Sequence, residues 1–455
     1  MPGTAGPARP RRESGLRRSL QEFLAVPLVM ILGFIVLAVV TSVLDRTDIG
    51  WLQPVQQALA KVAPPQQNQS MLRTVAPGVL TLMTITFFLL LTLVNRMADV
   101  FTWVVVEQFL SRRAHKAFFG YFAGLSTYYV IVLTLADPQR AVFSTVVALI
   151  LSVLALVGLV VFGYLVLDQL RPPSVVERIV QLTVATRAEQ SAWLRRLRDK
   201  PQLERLPTTI VRSECSGYLV DIDVASLGRA LESTSGAVEV EFCVRLGSHM
   251  VEGSALAGVR AERQADRERL AGAVYDALRC GRERQLNREP VYGVHQLSSI
   301  GWASATQRDP EAALVTVDGL HTLLAHWVHR SPSSGGAEPD DEPLPVVYRD
   351  TAIPEVLSAL SSIAVGAAQG GQHQTCAQVL NVFAMALPDL PAEYQRMVTA
   401  QLRHALPGAA RHPLTNEMER ALTALGRALS DNGQAGAAAE VARLGSRLGN
   451  QQSEG

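Results

Sequence analysis

Lysine is nearly absent from this chain. Lys61, Lys116 and Lys200 are the only three, although lysine and arginine together number 42. No lysine follows a glycine, which removes the Walker phosphate loop. No lysine follows Lys200, so nothing in the C-terminal half offers an amine for covalent attachment of a prosthetic group. Cysteine is scarce too. Cys215, Cys243, Cys280 and Cys376 lie far apart and form no CxxC pair. Neither a zinc ribbon nor a disulfide framework is expected, and the four read as reduced thiols. GxGxxG, HExxH and GxSxG are missing as well, so no catalytic residue, cofactor or metal is expected and the chain does not read as an enzyme. Basic patches lack interleaved aromatics, which argues against nucleic acid as a partner.

The most informative absence is charge within four stretches, 23–44, 74–95, 117–136 and 141–167. At about 1.5 Å of rise per residue, each reaches the roughly 30 Å of a bilayer's hydrocarbon core. The hydrophobic fraction of 48% and mean hydropathy of +0.17 therefore average an oily first third and an ordinary soluble remainder. The lipid bilayer is the first partner implied. The spans hold none of the carboxylates, histidines or arginines that ion-coupled pumps place at membrane depth.

The segment 1–22 carries Arg9, Arg11, Arg12, Arg17 and Arg18, and no Ala-x-Ala site follows the first apolar run. It reads as an uncleaved signal anchor. Arg96, Arg112, Arg113 and Lys116 lie between the second and third spans, whereas the loop from Asp45 to Arg73 holds few positive charges. The positive-inside rule then puts both termini and the whole tail in the cytoplasm of a cell with a multi-pass inner (plasma) membrane. Trp51–Val62 reads as a short helix of the outer loop, and Val100–Leu110 as an interfacial helix too short to span.

The transmembrane region covers 23–170. Beyond it, 171–206 is expected as a juxtamembrane helix whose basic residues, Arg187 and Arg195 among them, either rest on anionic lipid or form a solvated face. A β-rich module occupies 207–262. Thr209–Asp223 breaks at Ser216-Gly217 into two strands, Val224–Ser233 is a short helix, Val238–Leu246 is a strand, and Met250–Val259 reads as a hairpin turning at Glu252-Gly253. The segment 263–330 is helical, with a charged helix over Arg263–Arg288 and two more over Val291–Ala305 and Glu311–His329. A flexible linker spans 331–348 and a helical domain of about four helices spans 349–448.

Three features carry candidate chemistry. Thr81, Thr84, Thr92, Asn95 and Asp99 form a polar stripe on the second span, either lining a narrow pore or bonded to their own carbonyls at a polar seam. Gly120 and Gly124 give the third span a small face for packing within the bundle or between subunits, and self-association is expected. Arg279, Arg282, Arg284 and Arg288 form the densest charge run, a salt-bridge network or an anion site; alternation with Glu283 and Glu289 favours the network. Asp318, His321, His326 and His329 share an arc of one helix, but their spacing does not converge on a metal.

Two resemblances follow from these residues. Ser216–Ile222 and the Gly247…Val251-x-Gly253-x-x-Leu256-x-x-Val259 spacing resemble a barrel-sandwich fold of the biotinyl/lipoyl type, without the lysine that carries the group. The whole order resembles the bacterial membrane-protein family known as domain of unknown function 2254. The order is four spans, the strand Ser216-Gly217-Tyr218, Gly281-Arg282-Glu283-Arg284, Glu289-Pro290-Val291-Tyr292-Gly293, and Asp309-Pro310 opening a helix. At Thr306–Ala313 the chain departs from the family's Ile-Asn-Asp-Pro-Phe-Thr-Ala, with Arg308 and Glu311 in place of Asn and Phe. The resemblance implies architecture and assigns no activity.

The expected fold is thus a polytopic α-helical membrane protein with four transmembrane helices. An α+β cytoplasmic region follows, holding a small barrel-sandwich-like β module and a C-terminal helical bundle. The expected role is a non-enzymatic channel-like, sensory or envelope-maintenance component with a cytoplasmic regulatory tail. The alternatives are a scaffold or adaptor docking a partner through the β module, or a membrane-bound enzyme.

Overall fold

The computed structural model describes residues 15–47, 68–100, 113–135, 141–169, 172–307, 309–329, 343–410 and 414–453. The expected helices at Trp51–Val62 and Val100–Leu110, apart from Val100 itself, lie outside them, as does most of the linker. The chain divides into two compact units, Met1–Leu170 and Arg171–Gly455.

The first unit is built from α1 (Gly15–Arg46), α2 (Asn68–Val100), α3 (Arg113–Leu135) and α4 (Val142–Gln169). α3 is its central element: half of its apolar window is buried, against 22–28% for the other three helices. Phe122, Leu125, Tyr128, Tyr129 and Val132 of α3 pack with Phe34 and Ala38 of α1, Leu72 and Val79 of α2, and Ala148 and Ala155 of α4. The outer surface of α4 is oily, with Ile150, Val153, Leu156, Val157 and Val160 exposed. A helix satisfies its own backbone, so such a surface suits hydrocarbon.

Polar groups stitch the bundle internally. The Tyr128 hydroxyl lies 3.1 Å from Thr41 Oγ1 and donates to the Ser144 carbonyl at 3.1 Å. Tyr129 and Ser152 share a 2.7 Å bond. Asp45 is buried and caps α4, accepting from the backbone N–H groups of Phe143 at 2.8 Å and Ser144 at 3.1 Å. The sequence puts Asp45 in the outer loop; α1 runs one residue past it and turns it inward, because the orphan N–H groups at the start of α4 attract a carboxylate.

The second unit opens with α5 (Pro172–Leu194). Its Val175, Val176, Ile179, Val180 and Thr183 are buried. α5 packs on α8 (Pro290–Thr306) and α9 (Pro310–His329). Two glycines permit this: a Cβ on Gly293 would meet Thr183 Oγ1 at 1.9 Å, and one on Gly319 would meet Val176 at 2.8 Å. α10 (Ala352–Gly370), α11 (His373–Ala386), α12 (Ala392–Ala409), α13 (Asn416–Asp431) and α14 (Ala435–Ser453) complete the helical body, five helices where about four are expected.

Between α5 and α8 lie the strands β1 (Thr208–Arg212), β2 (Gly217–Ile222), β3 (Val238–Phe242), β4 (His249–Met250), β5 (Ala255–Ala261) and β6 (Leu278–Gly281). α6 (Val224–Glu232) and α7 (Gln264–Ala277) cover them. After α9, β7 (Val346–Val347) returns to the sheet. One sheet runs β1-β5-β3-β7 and the other β4-β2-β6. The strands pair antiparallel except β3 with β7, and Val347 of β7 also bridges Arg198 in parallel. Leu219, Val240, Val259, Leu270 and Val274 form the core. Asp223 caps α6 through Ser226 N at 2.9 Å.

Several expectations change here. The supposed hairpin 250–259 splits, since β4 pairs with β2 while β5 sits between β1 and β3. The Gly253 turn is instead tied to the Ser213 bend, by Gly253 N to Ser213 O at 2.7 Å and Ser213 N to Ser254 O at 2.9 Å. The two sheets, with a parallel strand in one, do not bear out the barrel-sandwich reading. The charged helix ends at Ala277, not Arg288, because Leu278–Gly281 finds a ladder partner in β2. The end of the linker range is strand β7. Finally, among the described residues five helices are long and apolar enough to cross a membrane, Ala352–Gly370 being the fifth.

Candidate functional site

The charge run Arg279–Glu289 folds into one compact cluster. β6 brings the chain along β2, Leu286 buries itself in the following turn, and Pro290 starts α8 with Glu289 as its N-cap residue. Proline at the first helical position costs nothing, because its missing N–H has no helical partner anyway. The side chains of Arg284 and Glu289 are thereby turned toward each other.

Arg284 holds Glu289 through two bonds, Nε to Oε2 at 3.0 Å and Nη2 to Oε1. Its Nη1 lies 2.9 Å from His295 Nδ1, and the guanidinium stacks 4.5 Å above the Tyr292 ring. His295 Nε2 lies 3.2 Å from Glu355 Oε2 in the first turn of α10. This hydrogen bond holds the Glu355 carboxyl below its ordinary range, outweighing the opposing effect of burial. Burial pushes the Tyr292 phenol up.

The β module closes over this pair. Gly247 has φ +79°, and a Cβ there would sit 1.9 Å from Glu289 Oε1. Its N–H donates to the Leu219 carbonyl at 2.7 Å, which pins the turn to β2. From β2, Asp221 accepts from Arg288 Nη1 at 2.6 Å. The cluster thus joins β2, the Gly247 turn, α8 and α10 within one unit.

A guanidinium with both edges and one face occupied has no free donor fork for a phosphate. Arg284 is therefore a coupling group, not an anion receptor. Of the four arginines singled out from the sequence, Arg284 and Arg288 are ion-paired. Arg279 and Arg282 are exposed and make no ion pair among the described residues. Sequence reading missed His295, Tyr292, Asp221, Gly247 and Glu355. Tyr292, Asp221 and Gly247 sit in quoted motifs without a role in the site, but Glu355 lies sixty positions from His295 and only the fold joins them.

Arg187 behaves similarly. It pairs with Asp350, bonds Gln190 Oε1 at 2.8 Å and stacks 5.7 Å over Trp327. It is half-buried among these partners.

The polar stripe lies on the outside of its bundle. Thr81, Thr84, Thr92 and Asn95 are exposed, and Asp99 belongs to α2 by its backbone. Thr81 and Thr84 donate to the carbonyls of Pro77 and Leu80, at 2.8 and 3.0 Å. Gly120 and Gly124 are consumed within the chain: a Cβ on Gly120 would meet Pro27 Cα at 2.9 Å, and one on Gly124 would meet the Phe34 ring at 2.3 Å. They let α1 approach α3 and are not free for another subunit. Among the described residues no group of three or more His, Cys, Asp or Glu is placed to hold a metal ion.

The family model described as predicted membrane protein (DUF2254) matches residues 21–383, and the chain belongs to that family. The match takes in the apolar helices, both sheets and the whole Arg284 cluster. No curated protein and no solved structure matches the chain.

Proposed function

We propose that this protein is a non-enzymatic, channel-like component of the bacterial inner membrane, assembled from several copies and regulated through its second unit. α1 to α4 are its four spans, and both termini are cytoplasmic. The fifth apolar helix, Ala352–Gly370, is assigned to the soluble unit because 61% of its apolar window is buried there. The arginines at Arg9–Arg18 and Arg112–Arg113 support the orientation.

The observation that carries the reading is the outward placement of Thr81, Thr84, Thr92 and Asn95 on α2. Within one chain this face lines nothing. In a ring of copies it becomes an inner wall, and hydroxyls already bonded to their own helix leave a narrow, weakly polar lining. The saturated state of Arg284 argues against phosphate or nucleotide chemistry in the tail.

Recording from purified protein in planar bilayers tests this. Discrete conductance altered by Thr84→Val is expected. Silence at all voltages and membrane tensions overturns the channel reading, and exclusively monomeric product after crosslinking in native membranes overturns the assembly.

A further inference from the structure

Two cysteines far apart in sequence meet at the edge of the three-stranded sheet. The bend before β2 is built on Ser213, whose Oγ donates to the Cys215 carbonyl at 2.7 Å and accepts from the Cys215 N–H at 3.3 Å. Cys215 Sγ lies 3.7 Å from the same hydroxyl. On β6, Cys280 pairs with Leu219 of β2, and its sulfur lies over Gly217: a Cβ there would be 2.9 Å from Cys280 Sγ and 2.5 Å from the Gly281 carbonyl. The absent side chain at Gly217 makes room for the Cys280 sulfur two residues after Cys215, and the Cys215 thiol is its near neighbour. Tyr275 lies near both thiols and near Glu214. Cys280 is exposed and Cys215 half-buried, so small solutes reach both. Cys376 is deeply buried, and Cys243 lies on the other sheet's side of the module.

We propose that Cys215 and Cys280 are a redox-active dithiol that hydrogen peroxide converts to a disulfide. One thiol of the pair, as its thiolate, attacks a peroxide oxygen, giving a sulfenic acid and releasing water once the leaving hydroxide is protonated. The second sulfur then attacks the sulfenic sulfur. An S–S bond forms, the S–O bond breaks, and the departing hydroxide takes the second thiol's proton as a second water. Two thiols are oxidised and one peroxide is reduced; a dithiol reductant reverses the change. Burial and the neighbouring Cys215 push the Cys280 thiol up to about 12. In a reducing compartment such a bridge is transient, as redox-sensing disulfides are. It would tether the Ser213 bend to β6, immediately before the segment that carries Arg284.

The test is thiol mapping on the full-length protein in detergent. Hydrogen peroxide is added and removed, the protein is unfolded in denaturant so that the buried Cys376 is reached too, free thiols are blocked with a maleimide, and the chain is digested without reductant for mass spectrometry. The expected result is one linked peptide pair joining Cys215 to Cys280, loss of two of the four maleimide adducts, and their recovery after dithiothreitol. Cys243→Ser should leave the link intact, whereas Cys215→Ser and Cys280→Ser each abolish it. Four adducts after oxidation, separate sulfinic acids, or a link through Cys243 would each overturn the proposal. The wild-type measurement needs no variant to fold.

Discussion

The Glu289 carboxylate is gripped along two edges by Arg284, five positions earlier, and is almost completely closed off from solvent. A buried carboxylate that loses its only guanidinium keeps its desolvation cost and loses the compensating attraction. Arg284→Ala should therefore cost roughly 3–5 kcal/mol of stability in the second unit. Arg288→Ala, which breaks an exposed pair with Asp221, should cost no more than about 1 kcal/mol. Thermal unfolding of the two purified variants beside wild type is the measurement; equal losses would contradict the assigned roles.

Gly247 and Gly253 separate backbone strain from space. Both have positive φ, but only Gly247 faces a carboxylate, and nothing lies within 4 Å of a Cβ on Gly253. Gly253→Ala should show the strain alone, roughly 1–2 kcal/mol. Gly247→Ala should lose more, because the methyl also displaces Glu289 from Arg284. Chemical denaturation of each variant resolves the difference, and Gly247→Ala as mild as Gly253→Ala would refute the contact.

In the membrane unit, Gly124→Ala drives a methyl into the Phe34 ring, while Gly78→Ala enters open space. The first should destabilise the bundle by about 1–3 kcal/mol through overpacking. The second should be neutral or slightly favourable, since alanine is the better helix former. Resistance to unfolding in a graded mixture of mild detergent and dodecyl sulfate reports both.

Acid sensitivity follows from Glu355. Its folded carboxyl titrates below the ordinary 4.5, so its bond with His295 contributes stability above that value and loses it as pH falls through the folded value. Glu355→Gln should be less stable than wild type near neutral pH, and the two stability curves should converge on acidification. A gap that stays constant into the acid range would count against this linkage.

The helices were legible wherever one strong local pattern governed them. Charge-free runs marked α1 to α4, and Asp309-Pro310 marked the start of α9. The β module was legible only in part. The alternation in Val238–Phe242 announces a strand, but nothing in His249–Ala261 says that its two arms enter different sheets; that depends on Ser213, which ties the turn. β6 was hidden because Ala277–Arg288 continues the charge pattern of α7, and only the ladder with β2 distinguishes it. The glycine face of α3 was visible, though its partner was not: a small residue records that something approaches, and Phe34 and Pro27 appear only in three dimensions. At the candidate site, the arginines were read from their density. His295 and Glu355 could not be paired from sequence, since their proximity is a property of how α8 crosses α10.

Strand β7 has a consequence for biogenesis. Val346 and Val347 lie alongside Val240 and Glu241, and the Val240 N–H donates to the Pro345 carbonyl at 2.9 Å. Translation delivers β3 long before this neighbour, with α8 and α9 made in between. Until Val347 clears the ribosome, the nascent β3 presents a bare hydrogen-bonding margin, the kind that recruits stray strands. Messages broken off in that interval would yield sticky, half-finished polypeptides, leaving quality-control proteases a defined window in which to act.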